Sequence, residues 1–159
     1  MKQLYKILLL IITFYCLGGE INTSLATDYV SITSGSWTNT ATPTWSPTGV
    51  PAAGDNVTIS ATHTVTISSS TTCQDVTIDA TGQLTQSGGL ICRHLTINGT
   101  LRRTGSNLTI RGDLVHNGSL AGTGGRIFFT TTAKTISGTS SFAGTPAQSD
   151  WDFNISTVI

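Results

Sequence analysis

Four polar residues recur at one interval: Asn56, Asp75, His94 and Asp113 are each 19 residues apart. A histidine between two aspartates could bind a divalent metal, or act as a carboxylate–imidazole acid/base pair, if the fold stacks the three side chains. The competing reading is a corner ladder, in which opposite charges hold His94 while the Asn and Asp side chains bond local backbone. No further ligand accompanies the set, and the surface columns of a repeat collect such coincidences. The ladder is therefore preferred, and no catalytic, cofactor or metal residue is assigned.

Cys73 and Cys92 share the 19-residue spacing. Stacked on neighbouring strands, their Cα atoms would lie about 4.8 Å apart, within disulfide range, and a bond would contribute about 3 kcal/mol. Two free stacked thiols fit the spacing equally well. No base accompanies either cysteine, which argues against a catalytic thiol. Trp37 and Trp45 could stack on sugar rings if exposed, although packing over one end of the fold suits them better. Arg111-Gly112-Asp113 spells a cell-attachment tripeptide, but it occupies a slot where any polar corner would serve. Arg102-Arg103, the one basic doublet, reads as a solvated corner.

These residues need a scaffold that repeats, and the chain supplies one. LTINGTLRRTGSNLTIRGD, from Leu95, is followed by LVHNGSLAGTGGRIFFTTT, from Leu114, with matches at Asn98/Asn117, Gly99/Gly118 and Leu101/Leu120. Upstream, Val57-Thr58-Ile59, Val76-Thr77-Ile78 and Leu95-Thr96-Ile97 begin 19 residues apart. An apolar residue returns about every six residues within that period, with Asn-Gly, Thr-Gly and Gly-Asp pairs between. Three short strands and three corners then bring the chain back above its start, one strand spacing higher.

The expected fold is all-β: a short parallel β-helix, or β-solenoid, with three strands per rung of about 19 residues. Right-handed crossovers are the default. An antiparallel β-sandwich is the alternative, but it would not require identities to recur at one interval. Alternation places Val57, Val76, Leu95 and Leu114 in one inner column and Ile59, Ile78 and Ile97 in another. His116 interrupts the second, by a slip of register or by sitting half-buried. The outward Thr58, Thr77 and Thr96 resemble an ice-binding ladder, but Val115 ends it after three members.

Lys2 and Lys6 precede the apolar run ILLLIITFYCLGG, and Ser24-Leu25-Ala26 offers a cleavage site after Ala26. Residues 1–26 are read as a signal peptide, 27–56 as an N-terminal cap holding both tryptophans, and 57–159 as rungs. No transmembrane anchor is expected after cleavage. At the far end Ile136 and Phe142 are expected inward, and the closing STVI leaves an edge for a partner or an edge-to-edge dimer through the last rung. The alternative is that the chain is the front piece of a longer coil.

Thirty Thr, seventeen Ser and 17 Gly favour strands and turns. Only 10% of residues are charged and the net formal charge is zero, which argues against nucleic acid as a partner. The few basic residues are scattered rather than gathered in a groove, which argues against an active polysaccharide lyase.

The run SWTNTATPTWSPTGVPAAGDNVTISATHTVTI resembles the start of the G-eight domain, an extracellular glycine-marked family. The shared features are Trp37, Trp45, Gly49-Val50-Pro51, Gly54-Asp55-Asn56-Val57 and His63-Thr64-Val65. LTINGTL and NLTIRGDL are similar to repeats of large secreted surface proteins of Bacteroidetes-type bacteria. The resemblance implies an extracellular β-helical module, often part of an adhesin-like or polysaccharide-associated protein. The expected function is non-enzymatic, structural or adhesive, with extracellular glycans or other surface proteins as partners and no cofactor. A glycan-binding module, or the remnant of a polysaccharide-degrading enzyme, is the alternative.

Overall fold

The computed structural model describes residues 25–122, 124–130 and 135–140. Its secondary structure is entirely strand and turn, arranged as a parallel β-solenoid of about four turns. Two strands, β1 (Asp28–Ser31) and β2 (Gly35–Ser36), precede β3 (Trp45–Ser46). Rung 1 is β4 (Asn56–Ile59), β5 (Thr64–Ile67) and β6 (Thr71–Thr72). Rung 2 is β7 (Asp75–Ile78), β8 (Gln83–Gln86) and β9 (Leu90–Cys92). Rung 3 is β10 (His94–Ile97), β11 (Thr100–Arg103) and β12 (Leu108–Ile110). Rung 4 is β13 (Leu114–His116), β14 (Ser119–Gly122) and β15 (Ile127–Phe129), and β16 (Ile136–Ser137) lies on β13.

Three sheets result. The first stacks β3, β1, β4, β7, β10, β13 and β16; the second β2, β5, β8, β11 and β14; the third β6, β9, β12 and β15. Every pairing is parallel except β1 with β3, which is antiparallel. No sandwich is present among the described residues.

The inner columns follow from strict alternation, since successive side chains of a strand face opposite ways. Val57, Val76, Leu95 and Leu114 are in register, as are Ile59, Ile78 and Ile97, and all are at most 2% exposed. Leu84, Leu90, Leu101, Leu108 and Ile127 fill the walls of the other two sheets. Thr58, Thr77 and Thr96 form the outward column, continued by Val115.

The period is less regular than a fixed 19. Leu84 pairs with Leu101, only seventeen residues on. In rung 2 the corner between the first and second sheets takes Asp79–Gly82, whereas rung 3 turns on Asn98-Gly99. The longer corners place Thr62 and Thr81 at φ of 68° and 67°, a region that β-branched residues avoid.

Residues 27–56 are themselves half a rung. β1 and β2 extend the first and second sheets by one strand, and β3 runs back along β1 to cover its edge. Ile136 stands in register on Leu114 but is 41% exposed, contrary to the inward packing expected of it. It ends its column among the described residues, with no described side chain above it. Phe142, the closing STVI and residues 1–24 of the expected signal peptide lie outside the described residues.

Candidate functional site

The corner column is built as a ladder. His94 is in register with Asp75, and its Nδ1 accepts the backbone N–H of Asp113 at 2.9 Å. The Asp113 carboxylate lies 3.5 Å from that nitrogen and accepts the Thr135 N–H at 2.8 Å. At the other end Asn56 donates its side-chain N–H to Asp28 at 2.8 Å. The Nδ1 lone pair and one Asp113 oxygen are thus spent on backbone donors one rung up. Among the described residues no group of three or more His, Cys, Asp or Glu is placed to hold a metal.

Cys73 and Cys92 face inward on consecutive rungs of the third sheet, 4% and 0% exposed, and their sulfurs are not bonded to each other. Burial, with the charges of Asp75 and Asp55, pushes the Cys73 thiol up to about 12. Burial, then Cys73 and Asp75, raises Cys92 as well. Such thiols stay protonated near neutrality and are poor nucleophiles.

The tryptophans lock the cap. Trp37 and Trp45 are each 1% exposed and meet edge to face, with ring centroids 5.1 Å apart. Trp45 Nε1 donates to the Trp37 carbonyl at 2.8 Å, and Trp37 Nε1 to that of Pro51 at 3.3 Å. Neither ring offers a solvent face on which a sugar could stack. Asp55 completes the lock, its carboxylate accepting the N–H groups of Thr27 and Ala52 at 3.0 and 2.9 Å. His63 Nδ1 reaches Ser31, at 3.0 Å from Oγ and 3.1 Å from the carbonyl. Ser31 is 2% exposed and its Oγ also accepts the Ser60 N–H, so this Ser–His contact ties rungs and is closed to substrate.

Three inner positions of the described rungs carry polar side chains. His116 is in register with Ile97 and 2% exposed, so neither the slipped register nor the half-buried position holds, and burial lowers its pKa. In the second sheet the column of Ile67 continues as Gln86, Arg103 and Gly122, with Gln86 0% and Arg103 6% exposed. Arg102 is the exposed member of its doublet; Arg103 is not the solvated residue expected. Alternation could have found it, because an inward Leu101 makes Arg103 inward too. The Arg103 guanidinium donates to the carbonyls of Ser106 and Arg126 at 3.0 and 3.2 Å. Gln86 Nε2 donates to the Asn107 carbonyl at 2.8 Å.

Directly outside that corner lies an open groove of about 430 Å³ on the third sheet. Its floor is the outward column Thr72, Ile91 and Thr109, in register across three rungs, and Phe128 continues the column. Ser70, Ser106 and Asn107 border it from the corners, and every lining residue is uncharged. The sequence hides this site because its members come from three rungs and none is unusual by type. The Arg111-Gly112-Asp113 triplet is set into a corner instead: a Cβ on Gly112 would come within 2.8 Å of the Arg93 carbonyl.

Among the described residues no helix is long and apolar enough to cross a membrane. No curated protein and no solved structure matches the chain. The family model of the G8 domain, a domain that is usually extracellular, matches residues 44–123, the stretch from the Trp45 lock through rung 3 and into rung 4. The chain belongs to the G8 domain family.

Proposed function

We propose that this chain is a non-enzymatic structural or adhesive module exported to the cell surface or extracellular space. The observation that carries the reading is the use to which the polar side chains are put. His94, Asp113, Asn98, Asn117, His63 and Asp55 all bond across rungs or to the cap. The imidazoles and carboxylates among them are spent on stiffening the coil, which then offers broad, nearly neutral faces for many weak contacts. Surface proteins and extracellular glycans are the partners such faces suit. Beads coated with the purified chain at graded density, run over cells or polysaccharide films, test it. Retention should rise steeply with density and vanish for single copies. Turnover of a polysaccharide by the soluble chain would overturn it.

A second reading, a glycan-binding module, is favoured by the neutral groove on the third sheet, where hydroxyl and amide groups border a floor of Thr72, Ile91 and Thr109. A glycan array probed with the chain separates it from the first.

A further inference from the structure

We infer that the groove on the third sheet is a subsite for a neutral polysaccharide chain, lying across the rungs over Thr72, Ile91 and Thr109 and reaching Phe128. The inference rests on the glycan-binding reading and goes further, naming the site and the class of sugar.

Three observations converge on it. The first is the chemistry of the lining: hydroxyls, amides and aliphatic surface without a single charge. Such a surface fits a ligand with C–H faces and hydroxyl edges; the exposed Arg126, stacked on Asn107 one rung up, lies outside that lining. The second is the floor. Thr72, Ile91, Thr109 and Phe128 stand in register, one per rung. Small hydroxyl and bulky apolar groups therefore alternate at one strand spacing, about 4.8 Å. A linear polymer of rings can meet an apolar contact at Ile91, another at Phe128, and a hydroxyl beside each.

The third observation is what lies behind the wall. The column that begins with Ile67 shows that an aliphatic side chain fits this part of the interior. In the next two rungs it becomes Gln86 and Arg103, whose burial is costly for a core that needs neither. Both side chains reach the same place from inside. Gln86 holds the Asn107 carbonyl at 2.8 Å and Arg103 the Ser106 carbonyl at 3.0 Å. The buried Gln86 Oε1 has no hydrogen-bond partner among the described residues, so the side chain's bond across the corner is the one to Asn107. Above Arg103 the column is Gly122, where a Cβ would run into the Arg103 backbone.

The fold thus departs from its own aliphatic rule at the corner that borders the groove, and uses the departure to fix two groove residues. Their outer sides are held as well: Ser106 Oγ bonds the Ser87 carbonyl, and Asn107 Oδ1 accepts the Arg126 N–H at 3.0 Å. With Oδ1 engaged, the Asn107 NH₂ group is left to donate to a sugar hydroxyl. Positions fixed in this way are those expected of a binding site and not of a passive corner. Gly89, between Ser70 and Asn107 in the same corner column, keeps the space between them clear, since a Cβ there would come within 3.0 Å of Ser70 Oγ.

The test uses the purified chain with cellohexaose, laminarihexaose and xylohexaose as neutral probes and hexagalacturonate as the acidic one. Affinity is measured by calorimetry, and contact by amide chemical-shift changes. At least one neutral probe should bind and shift the amides of Thr72, Ile91 and Thr109, while hexagalacturonate does not. Ile91→Arg, which puts a long cation across the floor at an outward position, and Phe128→Ala should each weaken binding roughly tenfold or more. Arg102→Ala, on the outer face of the second sheet, should leave it unchanged. Gln86→Leu should weaken binding while the thermal midpoint holds or rises, the signature of a positioning residue. Neutral sugars that bind but shift amides elsewhere, and ignore Ile91→Arg, overturn the groove and leave the glycan reading standing. Failure of all the neutral probes to bind overturns both.

Discussion

Gly99 shows how little room the coil leaves at its corners. A Cβ there would run into the carbonyl oxygens of Gly82 and Asp79 in the rung below, and one at Gly118 would meet Gly99 in turn. The glycine of each Asn-Gly pair is thus required by close approach of backbone, while its asparagine ties the rungs through the 2.9 Å contact of Asn117 with Asn98. Gly99→Ala should cost about 2 kcal/mol, as overpacking against unyielding backbone does, read as a lower urea midpoint. His116 poses the opposite problem, a polar ring where the column below carries Ile97. Burial lowers its pKa from 6.5, so the unfolded chain binds a proton that the folded chain resists. Its contribution is whole above that pH and is lost as pH falls through the lowered folded value. His116→Ile should flatten the dependence of the thermal midpoint on pH between 7 and 5. A slope unchanged by the substitution would place the sensitivity in another group.

At the scale of elements, the cap decides whether the first rung survives. β3 covers β1, and the Trp37–Trp45 pair fills the space beneath, with each indole N–H bonded to a carbonyl. Trp45→Ala removes one of the two largest buried side chains in that layer and the donor to the Trp37 carbonyl, at a cost of about 3–5 kcal/mol. Its thermal midpoint should fall much further than that of Ile91→Arg, whose position faces outward. Much of this architecture was legible in the sequence. The Val-Thr-Ile triplets, the Asn-Gly corners and the recurring leucines determined the strands, the parallel stacking and most of the inner columns, because alternation and period are properties of the chain alone. The shortened step from Leu84 to Leu101 was not legible: it depends on corner geometry, where four residues and two residues both complete a turn. The groove was hidden for a related reason. Its residues are ordinary Ser, Thr, Asn and Ile, and only the register brings three rungs together. Trp37 and Trp45, conspicuous by type, proved to be packing.

The whole molecule behaves as a stack in which each rung touches only its neighbours, so stability is close to a sum of rung and interface terms. Those terms differ along the coil. Rung 1 presents Val57, Ile59, Val65 and Ile67 to the interior, all at most 2% exposed, beneath a cap sealed by two tryptophans. Rung 2 replaces one aliphatic position with Gln86, rung 3 another with Arg103, and rung 4 has His116 and Gly122 where the rungs below carry side chains of the wall. β16 then contributes two residues, both exposed. Burial of apolar surface is the main favourable term in each interface, so interface strength should decline from the cap towards β16. Native-state amide exchange reads this directly, since local opening exposes one cooperative unit at a time. The amides of β13, β14 and β16 should exchange first, those of β10 and β11 next, and those of β4, β5 and β7 only with global unfolding. Exchange that begins at β1 and β4 would mean that the tryptophan lock is weaker than the polar interior of rungs 3 and 4. A single exchange rate across all rungs would mean that the interfaces are too strong for any rung to open alone. The graded order is expected because an Arg and a His in the wall cost more to bury than the Ile residues they stand on, and a linear stack opens from its weaker end.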